Sequence, residues 1–176
     1  MAKLSRSLAG KVIAITGGAR GIGRATAAAL IAQGARVAIG DIDAQLARRT
    51  AEELDAGTIG LPLDVLINNA GIMPIGPFVE EPDATADRMV DINVRGVIIG
   101  SKLALQRFVP RGRGHLVNIA SVAGKAGIAG GATYCATKHA VVGLTEALRQ
   151  ELRGRGCATD AARAARDCDH FPSERS

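Results

Sequence analysis

Aromatic side chains are nearly absent: the 176 residues hold no tryptophan, one tyrosine and three phenylalanines. A core built without them is aliphatic, and no row of rings is available to stack nucleic-acid bases. Cysteine is sparse as well, with Cys135, Cys157 and Cys168 as the full set. Three is an odd number without metal-ligand spacing, which excludes a disulfide framework and a zinc module and points to a reducing compartment. No apolar run approaches the ~20 residues that span a bilayer. The N-terminus leads through Val12–Ile15 straight into a turn, unlike a secretory leader. These absences lead us to expect a cytoplasmic protein with no membrane partner and no metal. The formal charge of +5 raises nucleic acid as a partner, but the arginines are scattered along the chain, so a solvated basic surface is expected and no nucleic acid.

Glycine is abundant, at 22 residues, as in folds with tight turns and close helix–sheet packing. Short β-branched runs alternate with alanine-rich helical stretches. Lys11–Thr16 reads as a buried strand, Gly21–Gln33 as a helix ended by Gly34, and Arg36–Gly40 as a second strand. Asp43 caps a helix to about Leu54. Thr58–Leu63 and Leu66–Asn69 read as strands. A long helix follows from about Ala84 to Phe108, with an irregularity expected near Gly96. Gly114–Ser121 is another strand, and a helix runs from about Ala132 to Arg153. Alternation of this kind predicts a parallel sheet covered on both faces.

Two places break the rhythm. Parallel neighbours need a crossover of about a dozen residues, yet the strand ending near Asp64 runs directly into the one at Leu66. Beyond Arg153 there is no Val, Ile, Leu or Met, so order is expected to fail from about Gly154. Residues 1–153 therefore read as one domain, and 154–176 as a tail.

Thr16-Gly-Gly-Ala-Arg-Gly-Ile-Gly23 lies between the first strand and its helix. Gly17 permits the turn, Gly21 lets the backbone approach a pyrophosphate, and Gly23 allows helix to pack on strand. The helix N-terminus adds free N–H groups and a positive dipole end. Arg20 and Ile22 share this loop. Asp41, at the end of the second strand, suits the ribose hydroxyls and repels a 2′-phosphate. Arg20 pulls the other way, and NAD is expected over NADP. Tyr134 and Lys138 stand one helical turn apart on one face. A Lys⁺ beside a phenol favours the phenolate, which suits Tyr134 to acid/base work.

Thr16–Gly23, Asn68-Asn69-Ala70-Gly71, Asn93, Ser121 and the Tyr134/Lys138 pair occur in an order that resembles the classical short-chain dehydrogenase/reductase family, over about residues 8–152. The resemblance implies an α/β fold of Rossmann type, a doubly wound parallel sheet. Here it is truncated, missing one crossover helix and the C-terminal strands. It implies an oxidoreductase that moves hydride between a nicotinamide cofactor and a secondary alcohol or ketone. Tyr134 is then the acid/base, Lys138 assists it and binds the nicotinamide ribose, Ser121 holds the substrate oxygen, and Asn93 supports a water relay. Asn69, Ala70 and Gly71 line the adenine–ribose side, Asp64 resembles the acid that meets the adenine amino group, and Val65 follows it. The two long helices imply a homo-oligomer. A loss between two similar Leu-Asp-Val stretches accounts for the junction at Asp64, and the family's Pro-Gly wall after the catalytic helix is not visible. A remnant that binds nucleotide or a protein partner without turnover is the alternative, and a pure interaction module a third reading.

Overall fold

The computed structural model describes residues 7–55 and 63–163. Five parallel strands form one sheet in the order β2-β1-β3-β4-β5. They are β1 (Val12–Thr16), β2 (Arg36–Gly40), β3 (Val65–Asn68), β4 (Gly114–Ala120) and β5 (Cys157–Arg163). The helices are α1 (Gly21–Ile31), α2 (Ala44–Glu53), α3 (Asp83–Val90), α4 (Gly96–Phe108) and α5 (Ala132–Glu151). Asp43 caps α2 as expected, its Oδ1 accepting from the Leu46 N–H at 2.9 Å. The expected irregularity near Gly96 is a π turn at Asp91–Arg95 that joins α3 to α4. Insertions of this kind recur at functional sites.

Strand residues alternate between two cores. Ile13, Ile15, Val37 and Ile67 pack with Ala27 of α1 on one face. Leu66 and Leu116 meet Ala104 and Phe108 of α4 on the other, where Val97, Ala120 and Val141 extend the layer under α5. Phe108 is fully buried, which stabilises the fold by about 1.5–3 kcal/mol. A Cβ at Gly114 would overlap its ring, so only glycine admits the phenyl group there. The α4–α5 face also holds a polar chain. Asn68 Nδ2 donates to Asn118 Oδ1 at 2.9 Å, and Asn118 Nδ2 to Thr145 Oγ1 at 3.0 Å. Each buried amide thus finds a partner, as burial requires.

One expectation is corrected, and another lies mostly outside the described residues. The chain does not lose order at Gly154, because Cys157–Arg163 pairs in parallel with β4 along its whole length, from Gly114↔Cys157 to Ala120↔Arg163. Large apolar side chains are not needed there. Backbone pairing satisfies the strand, while Thr159 is buried and Cys157 and Ala161 pack against the two cores under α4 and α5. The strand predicted at Thr58–Leu63 falls mostly outside the described residues, and Leu63 itself is not in a strand.

Candidate functional site

The C-terminal ends of β1, β2, β3 and β4 carry the site. Gly17 and Gly21 have φ of +64° and +55°, in the left-handed region that glycine tolerates. A Cβ at Gly23 would overlap the Gly17 carbonyl and come 2.6 Å from Asn69 Nδ2. Around Gly21 there is open space. Arg20, the residue before α1, gives no side-chain cap, so the first N–H groups of α1 are left for another acceptor. The turn is tied to β3 by Asn69, whose Nδ2 donates to the carbonyls of Thr16 and Gly17, both at 3.0 Å. Thr16 Oγ1 returns the link, accepting from the N–H groups of Asn69 and Ala70. Asp41 follows β2, and its Oδ2 accepts from the Ala19 N–H at 3.2 Å. This cradle fits a dinucleotide: glycines where the backbone must be approached, a helix N-terminus, and a carboxylate at the end of β2.

Tyr134 and Lys138 rise from the first turns of α5. Lys138 is 5% exposed, its Nζ donates to the Ile119 carbonyl at 2.8 Å, and it lies 5.7 Å from the Tyr134 ring centre. Burial lowers the lysine from 10.5 to about 8, because removing the ammonium from water penalises its charged form. Ser121 follows β4 and is half-buried, its Oγ accepting from the Ala123 N–H at 3.2 Å. Gly71 stands between the halves. A Cβ there would lie 3.2 Å from Asn93 Oδ1 and 3.7 Å from Lys138 Nζ.

Asn93 is wholly buried in the π turn. Its Oδ1 accepts from the Ile72 N–H, and its Nδ2 donates to the Ile72 carbonyl and to Thr137 Oγ1. Both ends of the amide are committed, so the side chain positions the segment after Gly71 rather than reaching into the cleft. Thr137, which also donates to the Tyr134 carbonyl at 2.7 Å, was not picked out by the motif. Its place between Tyr134 and Lys138 was the available signal.

Asp64 and Val65 belong elsewhere. Asp64 precedes β3 at the level of Val12, whose N–H donates to Asp64 Oδ2 at 3.1 Å. Thr16 lies four residues further along β1, about 13 Å away at the rise of a strand. Asp64 also pairs with Arg111 at 3.3 Å. Both residues sit at the sheet's opposite end, so neither lines the adenosine cradle. Cys135 is buried and accepts from the Ile128 N–H, a packing role. Among the described residues no group of His, Cys, Asp or Glu is arranged to hold a metal ion, and no helix is long and apolar enough to cross a membrane.

A parallel doubly wound sheet, a Gly-rich turn entering α1 and a Tyr–Lys pair on α5 define a dinucleotide-dependent oxidoreductase. The short chain dehydrogenase family model matches residues 11–61 and 56–163. The chain is 40% identical to 2-(S)-hydroxypropyl-CoM dehydrogenase 3 of Xanthobacter autotrophicus, covering 90% of this chain and 72% of that one. It is 37% identical to a sorbitol dehydrogenase of Cereibacter sphaeroides, over 88% and 69% of the two chains. A crystal structure from Beutenbergia cavernae, described as an NAD(P)-dependent gluconate 5-dehydrogenase with NADP at low occupancy, superposes with a TM-score of 0.83 at 31% identity, covering 89% of this chain and 72% of that one. The chain therefore belongs to the short-chain dehydrogenase family. It is an oxidoreductase that acts on CH–OH groups with a nicotinamide cofactor. The family match runs to residue 163, beyond the expected limit near 152, and takes in β5. Its two stretches overlap at 56–61, next to the junction where a crossover helix was expected to be missing.

Proposed function

We propose that the chain interconverts a secondary alcohol and a ketone using NAD in preference to NADP, with Tyr134 as the acid/base. The observation that carries this reading is Lys138, a cation buried to 5% exposure and set 5.7 Å from the Tyr134 ring. A buried ammonium is costly to keep, and its neighbours give it a use. It stands over the Tyr134 ring and faces the side of Gly71. When bound, the cofactor supplies the hydride donor or acceptor. Gly17, Arg20, Gly21, Ile22 and Gly23 would hold its pyrophosphate, Asp41 the adenosine ribose, and Asn69, Ala70 and Gly71 the stretch leading to the nicotinamide. Tyr134 and Lys138 would border the nicotinamide ribose. Ser121 orients the substrate oxygen, and Tyr134 exchanges a proton with it. Asp41 supports NAD, since its carboxylate beside Ala19 opposes a 2′-phosphate. Exposed Ile99 and Leu103 on α4 support association of copies through the long helices.

A second reading, cofactor binding without turnover, is favoured by residues that a relative carries and this chain lacks. The alignment with the Xanthobacter relative runs over 184 positions against 176 residues in this chain, so that relative carries residues with no counterpart here. One experiment separates the two. A panel of secondary alcohols with NAD is followed at 340 nm for the native chain and for Tyr134→Phe, with NADH binding measured by thermal shift. Turnover should fall by about 10²–10⁴-fold in the variant while the thermal shift persists. Equal rates would remove Tyr134 from the chemistry. A thermal shift with no turnover by either protein would establish the second reading.

A further inference from the structure

Because all five strands are parallel, they all begin at one edge of the sheet, opposite the site. In spatial order that edge presents Arg36 on β2, Lys11 before β1, Asp64 before β3, Arg113 before β4 and Arg155 before β5. The four cations are exposed. None of them forms an ion pair among the described residues. The acid in the row, Asp64, is neutralised by Arg111. The turns entering β4 and β5 repeat one sequence, Arg111-Gly-Arg-Gly114 and Arg153-Gly-Arg-Gly156. They lie side by side: Gly114 is in register with Cys157, and a Cβ at Gly156 would overlap the Gly112 carbonyl. Arg153 is exposed and adds to this end. The acids nearby are Glu151 on the last turn of α5 and Asp160, which is held by His115 at 2.8 Å.

We propose that this edge is a docking surface for the phosphate backbone of a single-stranded nucleic acid. Five strands at ~4.8 Å spacing make a row of about 19 Å, a linear charge that matches a linear polyanion. A bilayer would engage apolar side chains along with the charge. Among the described residues, the exposed large apolar side chains, Phe78, Val79 and Ile42 among them, are not in the strand-entry turns. No exposed aromatic residue sits in those turns, so recognition is of phosphate and independent of base sequence. The cofactor cradle is at the other end of the strands, so the two ligands bind without competing.

The test uses the full chain and a fluorescein-labelled oligo-dT of 20 nucleotides, followed by anisotropy from 25 to 200 mM salt. Binding should weaken with salt, with a logarithmic slope of about −0.7 for each cation–phosphate contact. Arg113→Gln/Arg155→Gln should lose about tenfold in affinity and flatten the slope by about 1.4. Lys102→Gln/Arg88→Gln, which removes the same charge elsewhere on the surface, should bind as the native chain does. Thermal shift with NADH monitors the fold of each variant. The proposal is overturned by absence of binding at 25 mM salt, by equal losses in the two double variants, or by displacement of the oligonucleotide with NADH. Binding to phosphatidylserine vesicles without binding to the oligonucleotide overturns it in favour of a membrane surface.

Discussion

Asn93 Nδ2 donates to Thr137 Oγ1 at 3.1 Å, joining the π turn to the helix turn that carries Tyr134 and Lys138. The hydroxyl then donates to the Tyr134 carbonyl. One buried threonine therefore couples the long helical run 83–108 to the start of α5. Thr137→Val keeps the shape and removes both hydrogen bonds. Leaving one end of a buried amide short of a partner costs about 1–3 kcal/mol. A lowered Tm is expected, with Thr137→Ser restoring most of it. A valine variant as stable as the native chain would show that the coupling carries no energy.

Lys138 predicts a pH dependence of stability. Its folded value, about 8, lies below 10.5, so between these pH values the unfolded chain holds a proton that the folded chain has released. Stability from this group is lowest below pH 8 and rises as pH climbs toward 10.5. The span corresponds to roughly 3 kcal/mol. Urea unfolding of the native chain and of Lys138→Met at pH 7.5 and pH 10 reads this directly. The variant should compare better with the native chain at pH 7.5 than at pH 10, and parallel pH profiles would contradict the burial argument.

Gly23→Ala puts a methyl group against a backbone carbonyl, which has little freedom to move. Overpacking of this kind costs about 1–3 kcal/mol. It also displaces the turn meant for the pyrophosphate, so NADH affinity should fall at least tenfold by fluorescence titration. Gly40→Ala, with no atom within 4 Å of the added Cβ, is the matched control and should change stability little.

Asp64→Ala separates the two ends of the sheet. It removes an acceptor for the Val12 N–H and the partner of Arg111, at a cost of about 1–3 kcal/mol. NADH affinity of the folded variant should equal that of the native chain. A large loss of affinity at unchanged stability would return Asp64 to the adenosine site.

Much of the architecture was legible because it is written in local text. Val12–Thr16 and Gly114–Ala120 show as apolar runs, Asp43 as a cap, and the Gly-rich turn as a spacing between a strand and a helix. Tyr134 and Lys138 could be paired from helical geometry alone. Asn93 was visible as a motif residue, but its working partners were not. Ile72 and Thr137 lie 21 and 44 residues away from it in sequence, and only the packing of α5 against the π turn brings them together.

The sequence by itself determined the alternation of strands and helices up to α5, the glycine-rich turn and the helical spacing of Tyr134 and Lys138. These rest on periodicity and spacing within a few turns of chain. Tertiary structure decided the rest, because it depends on which segments become neighbours. Leu63-Asp64-Val65 suits either end of a strand, and only its register with Val12 and His115 assigns it to the beginning of β3. Cys157–Arg163 lacks the apolar pattern of a strand and becomes one by pairing with β4. Arg36, Lys11, Arg113 and Arg155 are scattered in the chain, and they form a row because parallel strands must all start at the same edge.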